Sequence, residues 1–135
     1  MGRFLPPDHA AGDERTLGGY LAVHARPPAF EAEDGYSYSV AVGTDRTGNR
    51  EAPWGGYLLF LRWRRLGAQG VEGHLETGFL ATARTEADAS AAVHALPIAE
   101  VQEQLAVLVQ AEMEQARADR MWWDVMRDEG DDDER

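Results

Sequence analysis

The chain of 135 residues contains no cysteine and no lysine. These absences exclude a thiol nucleophile, a Schiff-base amine, a cysteine-held metal site and a disulfide framework. Polar side chains that often serve in active sites are also scarce, with three serines and the single asparagine Asn49. The sequence therefore favours a protein that is not an enzyme and that uses no cofactor.

Long apolar segments are missing as well. The longest apolar run of any size, from Tyr57 to Leu61, is far too short to cross a bilayer. The first residues lack the apolar core of a signal peptide. We therefore expect a cytoplasmic protein with no membrane partner.

Positive charge is in short supply, and the deficit lies in the second half of the chain. The formal net charge is −11. Residues 1–65 hold eight arginines and eight acids, whereas residues 66–135 hold five arginines and sixteen acids. Such a surface repels phosphate backbones and anionic lipids, so a nucleic-acid partner is not expected. A neutral or basic protein is an electrostatically more favourable partner.

One short segment departs from this charge pattern. Arg62, Arg64 and Arg65 alternate with Phe60 and Trp63, a mixture of cations and aromatic rings that is typical of single-strand nucleic-acid grooves. Three arginines produce only a small field on an anionic molecule. The same residues can instead shield an edge strand or pair with acids on a helix, and both interpretations stay open.

Hydrophobic periodicity predicts a short helix followed by strands. Apolar residues recur at helical spacing from Leu17 to His24, before Pro27 and Pro28. Alternation at period two predicts strands at 36–42, 56–64 and 71–75, with a short fourth strand or an extension at 79–83. The first strand places Tyr36, Tyr38, Val40 and Val42 on one face, and the second places Leu58, Phe60, Arg62 and Arg64 opposite Tyr57, Leu59, Leu61 and Trp63.

Two helices are predicted after the strands. Thr85 and Asp88 have the spacing of a capping box, which predicts a helix start at Thr85. Pro97 then opens a second helix, since proline is well accepted in a first turn. Neither glycine nor proline interrupts this helix before Gly130. From Pro97 to Arg127 it measures about 46 Å, against a radius of gyration of roughly 14 Å for a compact chain of this length.

The far end of this helix is therefore predicted to project beyond the domain. It carries Met121, Trp122, Trp123 and Met126, which are residue types enriched at protein interfaces, and we take them as candidate partner-binding residues. In the alternative, the helix bends near residues 116–120 and both indoles pack on the sheet. We expect a flexible leader at 1–13, a single domain at 14–127 and a disordered acidic tail at 128–135.

A second candidate site lies on the third predicted strand. Alternation places Glu72, His74 and Glu76 on one face, where an imidazole between two carboxylates could act as a general base or bind a metal ion. The same pattern is typical of a solvated strand face. No further ligand pair stands at metal-site spacing elsewhere in the chain, so no metal site is assigned.

Residues 57–96 resemble the HicB-like antitoxin fold. The resemblance rests on the turn Leu75-Glu76-Thr77-Gly78-Phe79 and on the helix start Thr85-Glu86-Ala87-Asp88-Ala89. It implies a small antiparallel sheet running into a helix, in a non-catalytic protein that binds a small toxin ribonuclease. Members often end in a DNA-binding module, but the segment that follows here is acidic overall. The resemblance therefore implies an architecture and a protein-binding role.

Taken together, the sequence predicts an α+β domain in the order α-β-β-β-α-α, with a three- or four-stranded antiparallel sheet and a long C-terminal helix. The predicted function is to bind another protein or a second copy of itself, as an antitoxin-like module or as an accessory subunit. The alternative is a metal-dependent enzyme or small-molecule binder that uses Glu72, His74 and Glu76.

Overall fold

An antiparallel sheet with helices against one face forms the body of the molecule. The computed structural model describes residues 6–63 and 70–133, with side chains described through residue 127. The elements in chain order are α1 (Leu17–His24), β1 (Ala29–Glu31), β2 (Ser37–Arg46), β3 (Trp54–Trp63), β4 (Val71–Glu76), β5 (Ala81–Ala83), α2 (Glu86–His94) and α3 (Ile98–Asp133). The predicted α+β class, the antiparallel sheet and the long C-terminal helix are confirmed.

The strands are ordered β1-β2-β3-β4, and β5 pairs with β3 as well. β4 and β5 follow one another along the same edge of β3, opposite residues 59–63 and 54–56 respectively. Between them, Thr77 forms two hydrogen bonds with Leu58. The Thr77 backbone N donates to the Leu58 carbonyl at 3.0 Å, and the Thr77 hydroxyl accepts from the Leu58 backbone N at 3.0 Å. β5 is thus the predicted short extension.

Strand β1 was not predicted. It has three residues and lies directly after Pro27 and Pro28, so it is too short to display alternation. Its existence depends on pairing with β2, in the register Ala29 to Ser39 and Glu31 to Ser37. This pairing is a tertiary contact that local sequence does not encode.

The core lies between one face of the sheet and the three helices. Tyr38 and Val40 of β2 and Leu58 and Phe60 of β3 are all buried on this face. The alternation predicted that Tyr38 shares a face with Val40 and Leu58 with Phe60. The helical residues packed against them are Leu17, Val93, Val101, Leu105 and Val109. Burial of large apolar side chains of this kind stabilises a fold by about 2 kcal/mol each.

Helix α2 approaches the sheet at a glycine. The Thr85 hydroxyl accepts from the Asp88 N at 3.1 Å, which is the predicted cap. A Cβ on Gly56 would lie 2.7 Å from the Ala89 carbonyl oxygen and 2.7 Å from a methyl of Val93. The absence of a side chain at position 56 therefore sets how closely α2 sits on β3.

Helix α3 runs without interruption over 36 residues, or about 54 Å. It continues without a break through residues 116–120. The backbone remains helical through Asp133, so residues 128–133, for which we expected disorder, extend the helix past the expected boundary at 127. No proline follows Pro97 to remove a donor from the hydrogen-bond ladder.

The described part of the expected leader lies against α1. The Asp8 N donates to the Val23 carbonyl at 2.9 Å. A Cβ on Gly19 would lie 1.8 Å from the Asp13 carbonyl oxygen, so the chain at residue 13 touches the helix backbone. Residues 1–5 of the leader, and the predicted positions of Arg64, Arg65 and most of the turn at 67–70, lie outside the described residues.

Candidate functional site

The second half of α3 projects away from the body of the protein. Among the side chains described in this helix, Val109 is the last buried one and Met113 is half-buried, whereas every residue from 114 to 127 is exposed. We call residues 114–127 the overhang, and it is about 21 Å long. The predicted projection is therefore present, and the alternative in which both indoles pack on the sheet is not.

Five large apolar side chains are clustered near the end of the overhang. We call this cluster the helix tip, and it consists of Met121, Trp122, Trp123, Val125 and Met126. The indoles of Trp122 and Trp123 are 59% and 62% exposed, and their ring centroids lie 5.8 Å apart in an edge-to-face arrangement. An exposed cluster of this composition is typical of a protein-binding hot spot.

The direction of the tip follows from helix geometry. Trp123 lies eighteen residues after Leu105, and Met126 lies eighteen residues after Leu108, which is five turns in each case. Leu105 is buried against the sheet and Leu108 is half-buried. Trp123 and Met126 therefore continue, beyond the sheet, the same side of α3 that faces the core.

A polar cluster around Arg62 fixes the departure of α3 from the sheet. Arg62 donates from Nε to the Tyr38 hydroxyl at 2.7 Å, and its guanidinium forms an ion pair with Glu112 of α3. The guanidinium also lies over the ring of Tyr36, 5.1 Å from its centroid. The Tyr38 hydroxyl donates in turn to Asp34 at 2.6 Å. This cluster joins β2, β3 and α3 just before the overhang begins.

The same cluster perturbs two pKa values. Burial, together with the hydrogen bond to Asp34, raises the pKa of Tyr38 to about 12. For Arg62, burial disfavours the charged form, but the hydrogen bonds to Tyr38 and Glu112 outweigh it and raise the pKa of the guanidinium. Both groups keep their protons at neutral pH, so the cluster is a fixed structural clamp.

The structure does not assemble Glu72, His74 and Glu76 into one site. Arg62 pairs with Gly73 and Trp63 with Val71, so Glu72 is the extra residue of a β-bulge. The bulge turns Glu72 toward the Arg62 side, where its carboxylate accepts from the Tyr36 hydroxyl at 3.1 Å. His74 and Glu76, opposite Leu61 and Leu59, remain on the other face. The predicted shared face is therefore wrong, because strict alternation fails at the bulge.

A different histidine pair is brought together near the N-terminus. Glu14 binds His9 through one carboxylate oxygen and the His24 ring through the other at 2.9 Å. These two hydrogen bonds, the one to His9 first, lower the pKa of Glu14. Sequence spacing gave no signal for this cluster, since the partners lie on two different segments. Among the described residues, no group of three or more His, Asp or Glu is arranged to hold a metal ion.

The face of the sheet opposite the core forms a second apolar surface, which we call the open face. Its large side chains are Tyr57, Leu59, Leu61, Trp63, Val71 and Phe79. Trp63, Val71 and Phe79 are exposed, and Tyr57, Leu59 and Leu61 are only half-buried. The described residues of the three helices that enter the core all pack on the other face. The apolar alternation on both faces of β3 was the signal for this surface in the sequence.

The residues considered for nucleic-acid contact are dispersed. Phe60 is in the core, Arg62 belongs to the clamp, and Trp63 lies on the open face, where its Nε1 donates to the Ser39 hydroxyl at 2.9 Å. Arg64 and Arg65 lie outside the described residues. The three described residues of this segment therefore do not form one cationic groove.

Comparisons of the chain with protein-family models, with curated proteins and with solved structures find no match. The resemblance to HicB-like antitoxins therefore stays a prediction. Within the described ranges, no helix combines the length and the apolar character needed to cross a membrane.

Proposed function

We propose that this protein is a non-enzymatic module that binds another protein, or a second copy of itself, through the helix tip. The observation that carries the proposal is the exposure of Met121, Trp122, Trp123, Val125 and Met126 on a helix that has left its own core. Exposed apolar clusters on soluble domains mark interaction sites. An antitoxin-like role and an accessory-subunit role are two forms of this function.

The energetics of the overhang support this proposal. An unpacked helix is marginal in water, because most helical stability in proteins comes from tertiary packing. The last turn of α3 has no basic residue to offset the helix dipole. Support within the overhang comes from surface pairs such as Gln115 with Asp119 and Arg127 with Asp124, and such pairs contribute only a few tenths of a kcal/mol each. A partner that covers the tip would supply the missing packing.

The proposal places this module in the cytoplasm. A chain without cysteine is suited to that compartment, where disulfides are rare.

Site-specific photo-crosslinking tests the proposal. A photo-reactive amino acid replaces Trp123 in the full chain, expressed in its native host, and a matched variant carries it at the exposed position Glu103 at the other end of α3. We expect a discrete adduct, either with another protein or with the chain itself, from position 123 and not from position 103. The captured protein, once purified, must bind the wild-type chain and lose binding to Trp123→Ser. Equal labelling at both positions, or none at either, would overturn the proposal.

A further inference from the structure

We infer that the partner is a second copy of this chain, and that the helix tip of each copy lies on the open face of the other. This inference rests on the proposed function and specifies its partner. It joins the two exposed apolar surfaces of the described structure, the helix tip and the open face, in one contact. Its support comes from length, direction, surface shape and charge.

The lengths of the two surfaces agree. The overhang, residues 114–127, is about 21 Å long. The open face along β3, from Tyr57 to Trp63, spans roughly 20 Å at 3.3 Å per residue. The overhang is therefore long enough to cover the row of large side chains on β3.

The direction of the tip fits a twofold arrangement. Trp123 and Met126 lie on the side of α3 that faces its own sheet, and the open face is on the opposite side of that sheet. When two copies are related by a twofold axis in the plane of their sheets, both sheets form one layer between two antiparallel α3 helices. The core side of each overhang then faces the open side of the neighbouring sheet.

Reciprocal exchange also limits the size of the assembly. A tip-to-face contact joins two different surfaces, and repeated head to tail it would build an open chain. Because each copy both offers a tip and receives one, the twofold arrangement closes at two copies and leaves neither apolar surface exposed.

The shape of the open face can receive bulky side chains. Its β2 half carries only small residues, namely Ser37, Ser39, Ala41 and Gly43. Aromatic rings stand at both ends, since the ring of Tyr57 lies over Gly43 and the indole of Trp63 bonds to Ser39. Between these rings Ala41, Leu59 and Leu61 form a shallow apolar floor.

Charge at the edge of the open face complements the overhang. Asp45 and Glu76 line a notch of about 240 Å³ together with the rings of Tyr57 and Phe79. Carboxylates beside aromatic rings suit a guanidinium group. The overhang carries an arginine one turn after Trp123 on its sheet-facing side, at position 127, eighteen residues after the buried Val109.

A complementation experiment with the full chain tests this inference. The face variant is Ala41→Arg, which adds a long charged side chain at an exposed strand position outside the core, and the tip variant is Trp123→Glu. Val107→Glu and Ala92→Arg are matched controls at exposed positions away from both surfaces. Circular dichroism verifies that each variant folds, and light scattering over a concentration series gives the dimer dissociation constant.

We expect a wild-type dimer, unchanged by the two controls and weakened at least tenfold by either the face or the tip variant alone. An equimolar mixture of the two variants should form a heterodimer that is tighter than either homodimer, because one tip and one face remain intact as a pair. Native mass spectrometry identifies this heterodimer.

Three outcomes would overturn the inference. A wild-type chain that is monomeric throughout excludes the second copy, and the photo-crosslinking at position 123 then decides separately whether the tip binds another protein. A dimer lost in the tip variant but unchanged in Ala41→Arg indicates pairing of tip with tip. A mixture without heterodimer shows that the two surfaces do not meet.

Discussion

Arg62 and Tyr38 form a hydrogen bond of 2.7 Å across neighbouring strands, and through it the sheet holds α3. The same guanidinium pairs with Glu112 on the helix. The Arg62 side chain is only 16% exposed, so water cannot readily replace either partner. The direction of the overhang therefore depends on a contact between residues 50 positions apart in sequence.

Replacing Arg62 by methionine is expected to lower the free energy of unfolding by about 2 kcal/mol, because Tyr38 and Glu112 each lose a charged partner. Lysine should recover only part of the loss, since an ammonium group cannot reproduce the fork geometry. Urea unfolding followed by circular dichroism measures the change. Arg117→Met, at an exposed position of the overhang, is the control and should stay within about 0.5 kcal/mol of wild type. An Arg62→Met variant as stable as this control would contradict the clamp.

Alkaline pH is expected to destabilise the protein through Tyr38. Its pKa in the folded state is about 12, above the ordinary value of 10.0, so the unfolded chain loses this proton first. The stabilisation is fully present below pH 10 and is lost as pH rises toward 12, at up to about 1.4 kcal/mol per pH unit. Urea unfolding across this range should show a shallower dependence in Tyr38→Phe. An unchanged slope in that variant would assign the effect to other groups.

Gly56 is expected to tolerate no side chain. In Gly56→Ala the new methyl group meets the Ala89 carbonyl and Val93, so α2 must move away from β3. We expect a loss of about 2 kcal/mol in the free energy of unfolding, the usual size for overpacking. Gly78→Ala is the matched control, because no atom of the described residues lies within 4 Å of the position that its Cβ would occupy. Equal effects of the two substitutions would show that α2 does not depend on this close approach.

The cap of α2 should be measurable in a single substitution. Thr85→Ala removes the hydroxyl that accepts from the Asp88 N, and we expect it to lower the free energy of unfolding by about 1 kcal/mol. Thr85→Ser keeps the oxygen and should remain close to wild type. Thermal unfolding of the three proteins compares them directly, and a serine variant as unstable as the alanine variant would point to the lost methyl group instead of the cap.

The local sequence pattern was sufficient to predict those features that a single short-range interaction controls. Alternation placed Tyr38 with Val40, and Leu58 with Phe60, on common strand faces, because side chains of a regular strand can point only to its two sides. The structure showed that these faces are the buried ones. The cap at Thr85 and the uninterrupted run after Pro97 also follow from short-range rules.

The local sequence pattern was not sufficient to predict features that depend on contacts between segments far apart in the chain. The bulge that separates Glu72 from His74 depends on the register between β3 and β4. Strand β1 exists through its pairing with β2. The His9, Glu14 and His24 cluster requires the N-terminal segment to fold onto α1. None of these contacts leaves a periodic signal in the sequence.

Periodicity, capping and length were enough to predict the class of fold, the two faces of the central strands and a terminal helix too long for the body it joins. The direction of that helix, its attachment to the sheet through Arg62 and the exposure of the described side chains on the other sheet face became visible only in the folded molecule. Directions and exposed faces arise from packing between segments far apart in the chain, and no local pattern of residues contains them.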